Sequence, residues 1–146
     1  MVEDASLDRL NKCLETLHFA FRGLVAEPDS ILKSQGLSRI HHRLLFFIGR
    51  NPGLSVNELV ERMRLTKQAI HKPLKSLVEK DLVEVTRDTS DKRVKRLALT
   101  GQGMALESQL TGIQRELLTH AFGEVGEGGA DAWFRVTETI ARRLGV

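Results

Sequence analysis

Two helix starts stand eleven residues apart in the middle of the chain, at Ser55 and Thr66 in "SVNELVERMRLTKQAI". Ser55 and Glu58 form a Ser-x-x-Glu capping box, which satisfies two amides that a helix start otherwise leaves unpaired. That helix must end near Met63, because Thr66 caps another that runs to about Lys80. Only Arg64 and Leu65 join the two, which gives the pair helix-turn-helix dimensions. The apolar period then switches to alternation. Val83 and Val85 mark one strand, Leu97 and Leu99 the next, and Asp88 to Arg93 form the turn between them.

The remaining segments are helical. Leu7, Leu10, Leu14, Leu17, Phe21 and Leu24 recur at spacings of three and four, which predicts a helix over 6–25 laid along another helix. Pro28 in "AEPDS" is expected to stop it. A second helix is expected from Ser38 to Gly49, with Ile40, Leu44, Phe47 and Ile48 on its apolar face. After the hairpin, Thr100 can cap a helix to about Phe122, with Leu106, Leu110, Ile113 and Leu117 as its seam. "GEVGEGG" breaks it, and a last helix runs from Ala130 to about Leu144, carrying Trp133, Phe134, Ile140 and Leu144. The expected fold is mainly α with a small β-hairpin, in one domain over 1–146. A domain of this size buries roughly 70% of its unfolded-chain surface, so it needs neither disulfide nor metal to fold.

The chain has one cysteine, Cys13, so no internal disulfide forms and a reducing cytoplasm is the expected compartment. The acidic start "MVEDASLDRL" lacks the apolar core of a signal peptide. The longest apolar run, "LLFFI", is too short to span a membrane, so no membrane partner is expected.

Charge is uneven. Arg62 to Arg96 holds eleven Lys/Arg against five Asp/Glu, an excess of six, which leaves the rest of a chain of net +3 at −3. A basic middle between acidic ends is the footprint of a polyanion-binding module. On the helix after Thr66, the apolar Ala69, Ile70, Leu74, Leu77 and Val78 are expected to pack inward. Lys67, Gln68, His71, Lys72 and Lys75 face out together. A recognition helix offers such a face to the major groove. Gln can pair with adenine, and Lys reaches guanine or phosphate. An ordinary solvated face is the bland reading, and the hairpin that follows, with Arg87, Lys92, Arg93, Lys95 and Arg96, argues against it. Pro73 removes the amide that would bond the Ala69 carbonyl. The spacing of Leu74, Leu77 and Val78 still predicts that the helix continues.

Leu54 to Gly103 resembles the winged helix-turn-helix of the MarR family of bacterial transcription regulators. The most specific part is "RDTSDKR…LALTGQG", with Asp91 and Arg93 at the tip, then Leu99-Thr100 and Gly103. The resemblance implies a homodimeric, sequence-specific regulator of transcription. It would be a ligand-responsive repressor acting on a pseudo-palindromic operator in double-stranded DNA. It places the DNA-binding lobe at about 38–100 and the dimerisation helices at about 6–25 and 101–146. DNA contacts are implied for Thr66, Lys67, Gln68, His71, Lys72 and Lys75, and for Arg87, Lys92, Arg93 and Lys95 in a wing that reaches the minor groove. Asp91, which phosphate would repel, is expected to brace the tip by pairing with Arg87 or Arg93. Asp81 stands where the family has glycine, and Asp can adopt the left-handed cap conformation at modest cost.

Some family members sense peroxide through a cysteine near Cys13, with help from tyrosines. This chain has no Tyr, so Cys13 reads as a small buried hydrophobe. His41 and His42 are adjacent and cannot chelate one ion from a helix face. No metal or other cofactor is expected. The resemblance places His41, His42 and Arg43 beside a cleft for a small-molecule effector, between dimerisation helices and lobe; a core or interface role fits them equally. The chain has no Gly-rich phosphate loop, nucleophile elbow or paired carboxylates, so it is not expected to be an enzyme. A winged helix that binds protein instead of DNA would need an apolar or acidic surface, and this one is basic.

Overall fold

A computed structural model describes residues 2–146, with side chains from Asp4 onward. The elements are α1 (Val2–Ser34), α2 (Arg39–Arg50), α3 (Val56–Met63), α4 (Lys67–Glu79), β1 (Val83–Arg87), β2 (Lys95–Leu99), α5 (Gly101–Val125) and α6 (Gly129–Ala141). The last expected helix is shorter than its apolar pattern, and Arg142–Leu144 tighten into a 3-10 turn. The strands are antiparallel, with Val83 opposite Leu99 and Arg87 opposite Lys95.

Pro28 does not stop the first helix, contrary to expectation. α1 continues to Ser34 and ends at Gly36, whose φ of 70° allows Leu37 N–H to reach back to the Leu32 carbonyl at 2.9 Å. Pro28 deprives the Leu24 carbonyl of its helical donor. Gln114 Nε2 of α5 donates to that carbonyl at 3.3 Å, and the Pro28 ring is buried. A proline is tolerated here because a second helix repairs the bond that it breaks. α4 does run through Pro73.

The core joins the end of α1 to α2, α3, α4, the hairpin and the start of α5. Leu32, Leu44, Leu45, Ile48, Leu59, Ile70, Leu77, Leu97 and Leu110 are fully buried. Each such side chain contributes about 1.5–3 kcal/mol by leaving water. Ala69 and Val78 correct the expected inward face of α4, for both are exposed. Only Ile70, Leu74 and Leu77 are buried, a stripe so narrow that 69 and 78 fall on its edges.

The two arms contrast with this core. Every described side chain from Asp4 to Gly23 is exposed, Cys13 included, so among the described residues nothing covers the thiol expected to be buried. Leu7, Leu10, Leu14, Leu17 and Phe21 of α1, with Trp133, Phe134, Ile140 and Leu144 beyond α5, are 41–67% exposed. The helical seam exists, but its Leu7–Leu17 part stays exposed, and only its end is engaged, with Arg39 over the Phe21 ring at 5.4 Å and Leu24 half-buried.

The hairpin is fastened at its base. Asp81 takes the left-handed conformation at φ 59°, with Asp81 N–H on the Val78 carbonyl (3.1 Å) and Leu82 N–H on that of Leu77 (2.9 Å). Thr100 donates its hydroxyl to the Asp81 carbonyl at 2.6 Å and its N–H to that of Leu82 at 3.1 Å. Its Oγ1 also accepts the Gly103 N–H at 3.0 Å, which caps α5. Thr100 and Gly103 therefore join the end of α4, the start of β1 and the start of α5.

Candidate nucleic-acid interface

Thr66 positions the proposed reading helix, its Oγ1 accepting the Ala69 N–H at 3.2 Å. The first turn of α4 carries no acidic residue, so the partial positive charge of the helix start is left for an outside anion. Thr66, Lys67, Gln68, His71, Lys72 and Lys75 are all exposed. A groove of about 620 Å³ lies between α4 and the hairpin. Lys67, His71 and Lys75 line it from the helix and Arg93 and Lys95 from the wing, over a floor that includes Ile70, Leu74, Val78 and Val85. Gln68 and Lys72 lie on the helix outside this groove, as Arg87 and Lys92 do on the wing.

The wing is held by two ionic ties. Asp91 accepts from Arg93 Nε at 3.1 Å, Arg93 Nη2 at 3.2 Å and the Arg93 amide at 3.0 Å. These bonds hold its carboxyl below the usual carboxylate range. The Arg93 side chain stays 91% exposed, so the tie orients the guanidinium without hiding it. Arg87 plays another part, donating to the Lys92 carbonyl at 2.8 Å across the tip.

Sequence reasoning gave no role to the second tie, Arg96 with Asp88. Arg96 Nε donates to Asp88 Oδ1 at 3.0 Å, while its Nη1 donates to the Gly53 carbonyl at 3.1 Å and reaches Glu58 Oε1 at 3.4 Å. Asp88 also accepts the Ser90 and Asp91 amides, at 3.1 and 3.0 Å. Arg96 foremost, then these amides, keep its carboxyl below the ordinary range. One arginine thus connects the wing to the loop before α3 and to the capping glutamate of that helix. Its signal in the sequence was diagonal placement: Asp88 sits across from Val94, two positions from Arg96 on the same face.

A second, smaller cleft of about 210 Å³ lies among α1, α2 and α5, where Phe21, Arg39, His42, Arg43, Phe46 and Gln114 are among its walls. His41 stands apart from it, for its Nδ1 accepts the Ser38 N–H at 3.0 Å at the start of α2. His42 is buried, with Nε2 3.0 Å from Thr111 Oγ1 on α5. Beside it, Arg50 pairs with the buried Glu107 and stacks over the Phe46 ring at 3.8 Å. Arg39 pairs with Asp29 at 2.8 Å along the same wall. Among the described residues, no group of three His, Cys, Asp or Glu is placed to hold a metal ion. No described helix is long and apolar enough to cross a membrane.

Comparison with known proteins fits this geometry. The MarR family profile matches residues 35–94. The HTH-type transcriptional regulator PetP of Rhodobacter capsulatus is 36% identical over 133 residues, which cover 91% of this chain and 80% of PetP. The chain belongs to the MarR family. The HTH-type transcriptional regulator SarZ of Staphylococcus aureus is 31% identical over 90 residues, 62% of this chain and 61% of SarZ. Streptococcus pneumoniae FabT in complex with DNA shares the fold at TM-score 0.79 and 17% identity, covering 95% of this chain and 97% of FabT. The S. aureus MepR–DNA complex does so at 0.69 and 18%, covering 87% and 95%. MarR-family proteins are transcriptional regulators, and this chain is one rather than an enzyme.

In this MarR-family chain the buried histidine makes stability depend on acid. Burial lowers the His42 pKa below its ordinary 6.5; Glu107 opposes the shift and Arg43 adds to it. Burial lowers His41 as well. The unfolded chain therefore binds protons first as pH falls. The stabilisation is complete above about pH 6.5 and is lost as pH drops from there towards the folded pKa values. The expected result is a lower urea midpoint at about pH 5.5 than at about 7.5, with a smaller difference in His42→Gln. Equal midpoints in the wild type would contradict it.

Proposed function

We propose that this MarR-family protein is a homodimeric, cytoplasmic repressor that binds a pseudo-palindromic operator and is released by a small molecule. The observation that carries the DNA-binding part is the groove in which Lys67, His71 and Lys75 of α4 face Arg93 and Lys95 of the wing. One lobe thus offers a helix for the major groove and a basic tip for the adjacent minor groove. In this reading Gln68 and His71 read base edges. Thr66, Lys67, Lys72 and Lys75 hold phosphates, while Arg93 and Lys95 enter the minor groove, with Lys92 beside them. Arg87 and Asp91 shape the tip. FabT and MepR hold DNA in their solved complexes, which supports the same use here.

The lobe is assigned to about 38–100 and the dimerisation arms to about 6–25 and 101–146. The unused seam of α1 and the apolar side chains of α6 support a two-fold dimer, which covers each arm with its own copy. The cleft at His42 and Arg43 lies where the arms meet the lobe, so an effector there would alter the separation of the two reading helices.

Substitution separates reading from anchoring. Gln68→Ala or His71→Ala is expected to relax base preference at defined positions, at about 1–3 kcal/mol for each side chain that reads a base edge. Arg93→Ala is expected to weaken binding to most duplexes and to flatten its dependence on salt. Binding competitions over a set of single-base operator variants measure both. Wild-type binding by Arg93→Ala at moderate salt would remove the wing from the interface, and unchanged preferences in the α4 variants would remove the readout.

A further inference from the structure

The C-terminal residues return to the helix-turn-helix. Gly145 closes the 3-10 turn at φ 78°, with its N–H on the Arg142 carbonyl at 2.9 Å. The Gly145 carbonyl then accepts from Arg64 Nη2 at 2.9 Å, from a residue 81 positions away in sequence. Arg64 is the left-handed residue, φ 52°, that turns α3 into α4, and its Nη1 donates to the Glu61 carbonyl at 3.0 Å. One guanidinium therefore bridges the end of α3 and the segment after α6. It does so two residues before Thr66, where the reading helix begins.

This bridge carries two more arginines to the lobe. Arg142 lies one turn from Gly145 and Arg143 follows it; both are exposed. Arg142 meets Glu138 at 3.4 Å through side chains 63% and 44% exposed, a contact that solvent largely screens. Arg143 pairs with no carboxylate among the described residues. Cations at a helix end complement the helix dipole, which accounts for their place after α6. It does not account for the hydrogen bond that ties the segment carrying them to Arg64, at the turn between α3 and α4.

We propose that Arg142 and Arg143, held against the helix-turn-helix by the Arg64–Gly145 bond, contact DNA phosphates that flank the reading helix. A phosphate backbone has the charge that this cluster lacks, and Arg64, which holds Gly145, stands two residues before the Thr66 cap of α4. The inference rests on the DNA-binding reading above and extends its footprint to residues outside both helix and wing.

The test compares full-length R142Q/R143Q and R142K/R143K with wild type on a random-sequence duplex and on duplex selected by the wild type. Removing both cations from phosphate lowers the log–log salt slope by about 0.9 per phosphate, or about 1.8 per subunit. R142Q/R143Q is expected to show that decrease with base preference unchanged, and R142K/R143K to retain the wild-type slope. A wild-type slope in R142Q/R143Q overturns the proposal. A reduced slope that tracks dissociation in sedimentation also overturns it, by assigning the pair to assembly. Failure of the wild type to bind any duplex would instead remove the DNA-binding reading itself.

Discussion

Replacing Leu10, Leu14 and Leu17 together by Glu is expected to give a soluble monomer that no longer holds the operator, although every proposed DNA-binding side chain remains. All three leucines are 58–66% exposed in the single chain, so the lobe loses no packing. Glu is a good helix former, so α1 survives the change. The proposed dimer would lose six leucines from its interface, at up to about 1.5–3 kcal/mol each, and take carboxylates in their place. Every 1.4 kcal/mol is about tenfold in the association constant, so the loss removes dimers at micromolar concentration. Separate lobes then bind half-sites one at a time, without the roughly 10²–10⁴-fold gain that linkage provides. Sedimentation and operator titration of one preparation check both halves of the prediction. A triple variant that remains dimeric, or a wild type that is monomeric, would show that the α1 seam has another use.

Gly103→Ala is expected to be among the most damaging single substitutions, although alanine is the better helix former. A Cβ at 103 would lie 1.9 Å from the Leu82 carbonyl oxygen and 2.9 Å from its carbon. Both are backbone atoms, so no side chain can rotate away. α5 must lift off the start of β1. That movement pulls Thr100 from the Asp81 and Leu82 carbonyls and from the Gly103 amide. Overpacking costs about 1–3 kcal/mol and a missing cap about 0.5–2. Together they take a large share of the roughly 5–15 kcal/mol that holds a typical domain. Gly101→Ala is the control, since a Cβ there meets nothing within 4 Å. Urea unfolding at one protein concentration compares the two. A Gly103→Ala protein within about 0.5 kcal/mol of wild type, the range of an ordinary surface change, would contradict the packing at this joint.

The same joint shows what sequence can and cannot disclose. The caps at Ser55, Thr66 and Thr100 were legible because each bonds an amide three residues on. The alternation from Val83 to Leu99 was legible because hairpin partners are close in the chain. The path of α1 was not. Pro28 reads locally as a stop, and the donor that overrules it, Gln114, lies 90 residues beyond the carbonyl it serves. In the site, the outward face of α4 followed from helical period, but the exposure of Ala69 and Val78 depended on how narrow the packed stripe is. The basic wing tip was visible as charge, whereas the anchoring of the wing by Arg96 was not. Its Gly53 and Glu58 partners come from the loop before α3 and from α3 itself. The α1 seam was legible as one apolar stripe on a helix, and its Leu7–Leu17 part stays exposed among the described residues.

Selection of bound duplexes from a random pool by the protein is expected to enrich a pseudo-palindrome whose half-sites stand about one helical turn, roughly 10 base pairs, apart. Affinity for it should fall steeply with added salt, as condensed counterions are released from each phosphate that the protein neutralises. A pool that stays random through successive rounds, with no duplex bound even at low salt, would contradict it.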